Sequence, residues 1–135
     1  MTNIAVFTNE VLAQAPVATV QKVLADPRAL LKWVPDITTV TSGANAFEIK
    51  RQGAALNQHE RLAVTATDDQ VTYRSTQGRL AYRLVFTLTA QEAGTLIQEA
   101  LYVPDSTGLP VKLMAPIAKR AFQQNLTRLA QIVAS

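Results

Sequence analysis

Cysteine is absent from the 135-residue chain, and histidine occurs once, as His59. The first absence removes any disulfide framework and any thiolate nucleophile. The second removes His-rich zinc sites and paired catalytic histidines. Aromatic residues make up only 6% and charged residues only 17%, against 48% hydrophobic residues. No long polar tract interrupts that mixture, so the composition is that of an ordinary globular protein rather than a disordered tail. No apolar run approaches the roughly 20 residues that a membrane-spanning helix needs, and Met1 to Glu10 carries no basic stretch. No integral membrane segment is expected, and the cytoplasm is the expected compartment.

Thirteen Lys and Arg stand against ten Asp and Glu, a formal charge of +3. The excess is scattered: Lys50-Arg51 does not extend into a run, and no aromatics interleave with the basic residues, so nucleic acid is not an expected partner. No phosphate loop, metal cluster or nucleophile with a base beside it is visible, and no cofactor or metal is expected. The length suits one domain, residues 1–135, with room for a single core or one cavity. The oligomeric state is not legible.

The order of elements is. Residues 4–13 read as a strand. Pro16 suits the first position of a short helix in which Val17, Val20, Val23 and Leu24 form an apolar stripe, and Asp26-Pro27 stops it. A second helical piece, 28–33, ends before Pro35. From Ile37 to Val103 the period becomes two, with turn signals at Ser42-Gly43, Gly53, Asp68-Asp69, Gln77-Gly78 and Ala93-Gly94, which makes six consecutive antiparallel strands. The last 27 residues return to helical period, with Met114, Ile117, Ala118, Ala121, Phe122, Leu129, Ile132 and Val133 on one face. Pro116 marks either the start of that helix or a kink in it.

Hairpin arithmetic then assigns side chains to faces, because a two-residue turn pairs positions of fixed sum. A turn at Gln77-Gly78 sets Tyr73 opposite Tyr82, Val71 opposite Leu84 and Ser75 opposite Leu80. One at Asp68-Asp69 sets Val64 beside Tyr73 and Leu62 beside Ser75. One near Ala93-Gly94 brings Leu84, Phe86 and Leu88 to the side of Ile97, Glu99, Leu101 and Val103. Carried backwards, the same face takes in Val40, Phe47, Ile49, Arg51, Gln58 and Glu60. The expected fold is α+β: one curved antiparallel sheet of seven strands, two short helices after the first strand, and a long C-terminal helix across the concave face. A helix laid on a strongly bent sheet seldom fills the concavity. An empty void of about 300 Å³ would cost roughly 7 kcal/mol, comparable to a whole domain's stability, so such a space holds side chains, water or a ligand.

Ala15-Pro16 followed by Val20 and Leu24, then Asp26-Pro27, then Trp33-Val34-Pro35-Asp36-Ile37, resembles the opening of the Bet v 1-like or START-like helix-grip superfamily, also called SRPBCC or polyketide cyclase/dehydrase-like. The ending Phe122-Gln123-Gln124-Asn125-Leu126-Thr127-Arg128-Leu129 resembles its closing helix, and the likeness spans the whole chain. The resemblance implies a hydrophobic cavity between sheet and helix, used by different members for lipids, sterols, quinones, plant hormones or polyketide intermediates. Only some members are enzymes.

Several residues stand out against that frame. Glu99 interrupts the apolar alternation of Ile97, Leu101 and Val103. It either faces inward, as ligand polarity or an acid/base group of raised pKa, or is turned to solvent by a register shift. Asn125, near the centre of the helix stripe, contacts a ligand or satisfies a backbone group or buried water. Tyr73 and Tyr82 are either ligand-orienting hydroxyls or plain core aromatics. Arg51, Gln58 and Glu60, beside the Gln52 to Asn57 loop, read as a solvated rim bridge, with carboxylate or phosphate recognition as the lesser reading. His59 alternates outward. Trp33 packs the short helices, while Gly108 and Pro110 set the start of the last helix.

The leading expectation is a protein that binds a small hydrophobic or amphipathic molecule. Leu84, Phe86, Leu101, Met114, Phe122 and Leu129 would cover its apolar surface, and Tyr73, Tyr82, Glu99 and Asn125 would orient its polar atoms. A cyclase or dehydratase using Glu99 or Tyr82 is the second reading. An interaction module that recognises a polypeptide by its sheet edge or the 104–110 loop is the third.

Overall fold

The computed structural model describes residues 5–53, 57–104 and 110–134. Strand β1 (Phe7–Ala13) leads into helix α1 (Val17–Leu24), a 3-10 turn (Pro27–Ala29) and helix α2 (Leu30–Trp33). Six strands follow: β2 (Ile37–Ser42), β3 (Phe47–Arg51), β4 (His59–Ala66), β5 (Gln70–Thr76), β6 (Tyr82–Gln91) and β7 (Gly94–Tyr102). Helix α3 (Val111–Ala134) closes the chain. The strands form one antiparallel sheet in the order β1-β7-β6-β5-β4-β3-β2, curved around the long helix.

The local chemistry explains the breaks. Pro16 is the residue before α1, with φ of −65° and ψ of 154°, so it presets the turn into the helix from one position earlier than expected. The Asp26 carboxylate accepts from the Arg28 amide and caps the 3-10 turn, whose first residue is Pro27. Trp33 is buried edge-on against Phe86, ring centroids 6.1 Å apart, and ties the short helices to the sheet. The expected strand over 4–13 begins at Phe7 instead; Ile4 lies outside the described residues.

One of the three hairpin registers matches the arithmetic, Val64 pairing with Tyr73 and Leu62 with Ser75. In the second the faces are as expected, but Gln91 pairs with Gly94, so the turn falls at Glu92-Ala93 and Leu88, Phe86 and Leu84 pair with Ile97, Glu99 and Leu101. The third is corrected. Tyr73 pairs with Leu84, Val71 with Phe86 and Ser75 with Tyr82, so every partner moves on by two residues and the faces are kept. The cause is the connection itself. Gln77 takes φ of 65°, and the Asn57 side chain bonds both the amide and the carbonyl of Leu80 at 2.7 Å, holding Leu80 out of the ladder.

Helix α3 is divided by its packing. Its C-terminal half buries Leu126, Leu129, Ala130 and Val133 in the core. Its N-terminal half leaves Leu113 and Ile117 78% and 77% exposed, a correction for Ile117, which lies at the margin of the apolar face. Pro116 is inside the helix, not at its start, and withholds one main-chain donor from the ladder there. This half is fastened to the edge strand β1 instead: the Lys119 ammonium donates to the Thr8 carbonyl, and the Gln123 amide to the Glu10 carbonyl.

Candidate functional site

The loosely packed half of α3 leaves a cavity of about 400 Å³ between helix and sheet. One wall is apolar, from Leu101 and Val103 of the sheet side and Val111, Met114, Ile117, Ala118 and Phe122 of α3. The opposite end is polar, built by Asp36, Arg51, Asn57, Glu60 and Tyr82. Phe122 is held in place by Phe7, the rings meeting edge-on at 5.2 Å.

Strand register assembles the polar end. Arg51 ends β3, Glu60 sits opposite Ile49 on β4, and Tyr82 begins β6, all on the inward parity. The Glu60 carboxylate accepts from the Tyr82 hydroxyl at 2.9 Å, the Arg51 guanidinium at 3.0 Å and the Asn57 amide at 2.9 Å. Arg51 also donates to Asp36 at 3.1 Å and to the Tyr82 hydroxyl at 3.4 Å. The Glu60 side chain is 1% exposed and that of Arg51 16% exposed. The bridge is therefore buried, a correction to the solvated rim expected from sequence, and such a carboxylate is tenable only because donors surround it. Burial opposes the Arg51 charge, but Tyr82, Glu60 and Asp36 outweigh it and hold the guanidinium protonated beyond its ordinary range. Burial, and then Glu60, push the Tyr82 hydroxyl well above the usual phenol range.

The residues singled out in the sequence fall into separate places. Tyr82, Leu101, Met114 and Phe122 line the cavity. Tyr73, Leu84, Phe86 and Leu129 are buried in the core and absent from that lining; the Tyr73 hydroxyl donates to the Leu24 carbonyl at 2.7 Å. Asn125 is only partly buried, and its carbonyl accepts from Arg128 one turn away at 3.0 Å, so it turns along the helix surface. Gln58 is exposed and bonds the Gly53 carbonyl, while His59 is exposed beside Glu48. Gly108 lies outside the described residues, as does most of the 104–110 loop.

Glu99 is buried on the inward parity, opposite Phe86, yet it does not line the apolar cavity. Asn9 explains why: its amide bonds the Glu99 carboxylate and the Lys119 carbonyl of α3, both at 3.0 Å, so helix and strand meet over Glu99. The pair lines a second groove of about 630 Å³, shared with Lys119, Gln123 and outward residues such as Arg83 and Tyr102. Burial pushes the Glu99 carboxyl up to about 7, against the opposing effects of Asn9 and Lys119.

Sequence reasoning passed over Asp36 and Asn57. Asp36 stood inside the Trp33 to Ile37 motif, and Asn57 at a loop end, with no periodicity to aim either inward. Among the described residues no group of three or more His, Cys, Asp or Glu could hold a metal ion, and no helix is long and apolar enough to cross a membrane.

No curated protein matches the chain in sequence. Solved structures match its fold: a START superfamily protein from Mycobacterium smegmatis (TM-score 0.74, 19% identity, 93% of this chain and 97% of that one) and a conserved protein from Geobacillus kaustophilus (TM-score 0.71, 15% identity, 94% and 93%). The di-domain ARO/CYC StfQ from the steffimycin biosynthetic pathway also matches, with TM-score 0.70 and 15% identity over 95% of this chain and 50% of that one. A family model described as polyketide cyclase/dehydrase and lipid transport matches residues 5–134. The helix-grip sheet and near-complete match agree: the chain belongs to the polyketide cyclase/dehydrase and lipid transport family.

Proposed function

We propose that this protein is a cytoplasmic binder of a small amphipathic molecule, held between α3 and the sheet. One observation carries the reading: a cavity of about 400 Å³ with an apolar wall and a buried polar end. That is the division of surface a ligand with a greasy body and one polar end requires. Leu101, Met114 and Phe122 would cover the body, and Arg51 and Asp36 would meet the polar end, held in place by Glu60 and Tyr82. The family's association with polyketide chemistry and lipid transport supports the ligand class.

A catalytic reading ranks second and would fall to Tyr82, since Glu99 is not part of the lining. Raising the affinity of the Tyr82 oxygen for its proton makes it a poorer acid, which favours orientation over proton transfer. Native mass spectrometry of protein purified without detergent tests the proposal: a bound apolar small molecule is expected. Bare protein alone, with no binding of lipid or aromatic probes, would overturn it.

A further inference from the structure

The charge arithmetic of the polar end narrows the ligand class. Among the described residues its charged side chains are one guanidinium, Arg51, and two carboxylates, Asp36 and Glu60, a net of −1. Residues 1–4, 54–56, 105–109 and 135, outside the described part, contain no Lys or Arg to offset that negative charge. Both carboxylates sit directly on the guanidinium, so Arg51 is already neutralised and cannot serve as the counter-ion of an anionic ligand. A ligand carboxylate would add a second net negative charge beside an apolar wall, where charge is poorly screened.

Hydrogen-bond capacity points the same way. Asn57 spends both amide hydrogens on Glu60 and Leu80, and its oxygen on the Leu80 amide. Tyr82 spends its hydrogen on Glu60. Among the described residues, Arg51 keeps N–H donors uncommitted and one Asp36 carboxylate oxygen has no partner. A single group that accepts from Arg51 and donates to Asp36 satisfies both: a hydroxyl does so without charge, whereas an ammonium has no lone pair to offer Arg51 and would stand against its guanidinium. We infer that the cavity selects ligands whose polar end is a neutral hydroxyl, alcohol or phenol, and rejects fatty-acid carboxylates. This rests on the binding reading above and deepens it.

Titration calorimetry of the full chain with octanol, octanoate and octylamine tests the inference, with neutral N-phenyl-1-naphthylamine as an independent fluorescent probe. Octanol is expected to bind at least about tenfold tighter than octanoate, the equivalent of ~1.4 kcal/mol, and no more weakly than octylamine. The Asp36 side chain is 42% exposed, so Asp36→Asn should fold, and by removing the excess negative charge it should narrow the octanol to octanoate gap to about threefold. Any other order of affinities, or an unchanged gap in Asp36→Asn, overturns the hydroxyl assignment while the probe still binds. Failure of the probe and all three octyl compounds to bind overturns the binding reading itself.

Discussion

Gly78 and Asn57 are in contact: a Cβ on Gly78 would stand 2.6 Å from the Asn57 Cγ. Asn57 cannot swing aside freely, because its amide is fixed to Glu60 and to both main-chain polar atoms of Leu80. Gly78→Ala is therefore expected to cost about 1–3 kcal/mol and to weaken probe binding together. Denaturant melts and fluorescence titration of the same sample check this; a loss of stability with binding intact would separate the turn from the cavity.

The two inward tyrosines should behave differently. Tyr73→Phe strands the Leu24 carbonyl in the core and is expected to cost about 1–2 kcal/mol without altering ligand affinity. Tyr82→Phe removes a donor from Glu60 in the cavity and is expected to alter ligand affinity as well as stability. Parallel melts and titrations of the two variants decide it, and matching effects on affinity would count against the separation.

Glu99 predicts a pH dependence. Its carboxyl is pushed from 4.5 up to about 7 by burial, with Asn9 and Lys119 opposing. Between those values the folded protein keeps a proton that the unfolded chain has released, so this group's contribution to stability is greatest below about pH 4.5, declines as pH rises to about 7, and is level above. At ~1.4 kcal/mol per tenfold change in proton affinity the decline is roughly 3 kcal/mol. Glu99→Gln keeps an oxygen for the Asn9 amide and removes the charge. It is expected to flatten the profile and to be more stable than the parent near pH 8 by about 1–3 kcal/mol. Superimposable stability profiles of parent and variant would contradict this account of Glu99.

The two halves of α3 should respond unequally to truncation. Leu126 is fully buried, and Leu126→Ala is expected to cost about 2–5 kcal/mol. Met114 faces a space that is already open, so Met114→Ala is expected to cost less than about 1 kcal/mol while changing probe affinity. Equal losses in denaturant melts would mean that the N-terminal half is packed as firmly as the rest.

Much of this architecture was legible because period and parity are local properties. The strands from Ile37 onward, the faces they present and the β4 to β5 register followed from alternation and turn residues. The β5 to β6 register did not, because the Leu80 pairing is broken by Asn57, more than 20 residues away. The site was only half legible. Parity put Arg51, Glu60 and Tyr82 on the inner face, but nothing local says that Asn57 and Asp36 close over them and turn an apparent rim bridge into a buried cluster. For Glu99 the parity was right and the surroundings were not, since Asn9 and the crossing of α3 decide what that carboxylate meets.

Lys119 and Gln123 bind main-chain oxygens of β1, so the outermost strand on that side is shielded by the same helix that walls the cavity. Bared strand margins recruit other chains. Walling the cavity and keeping molecules apart are thus one task for this helix, and a variant in which it is detached from β1 would announce itself by clumping before its fold was lost.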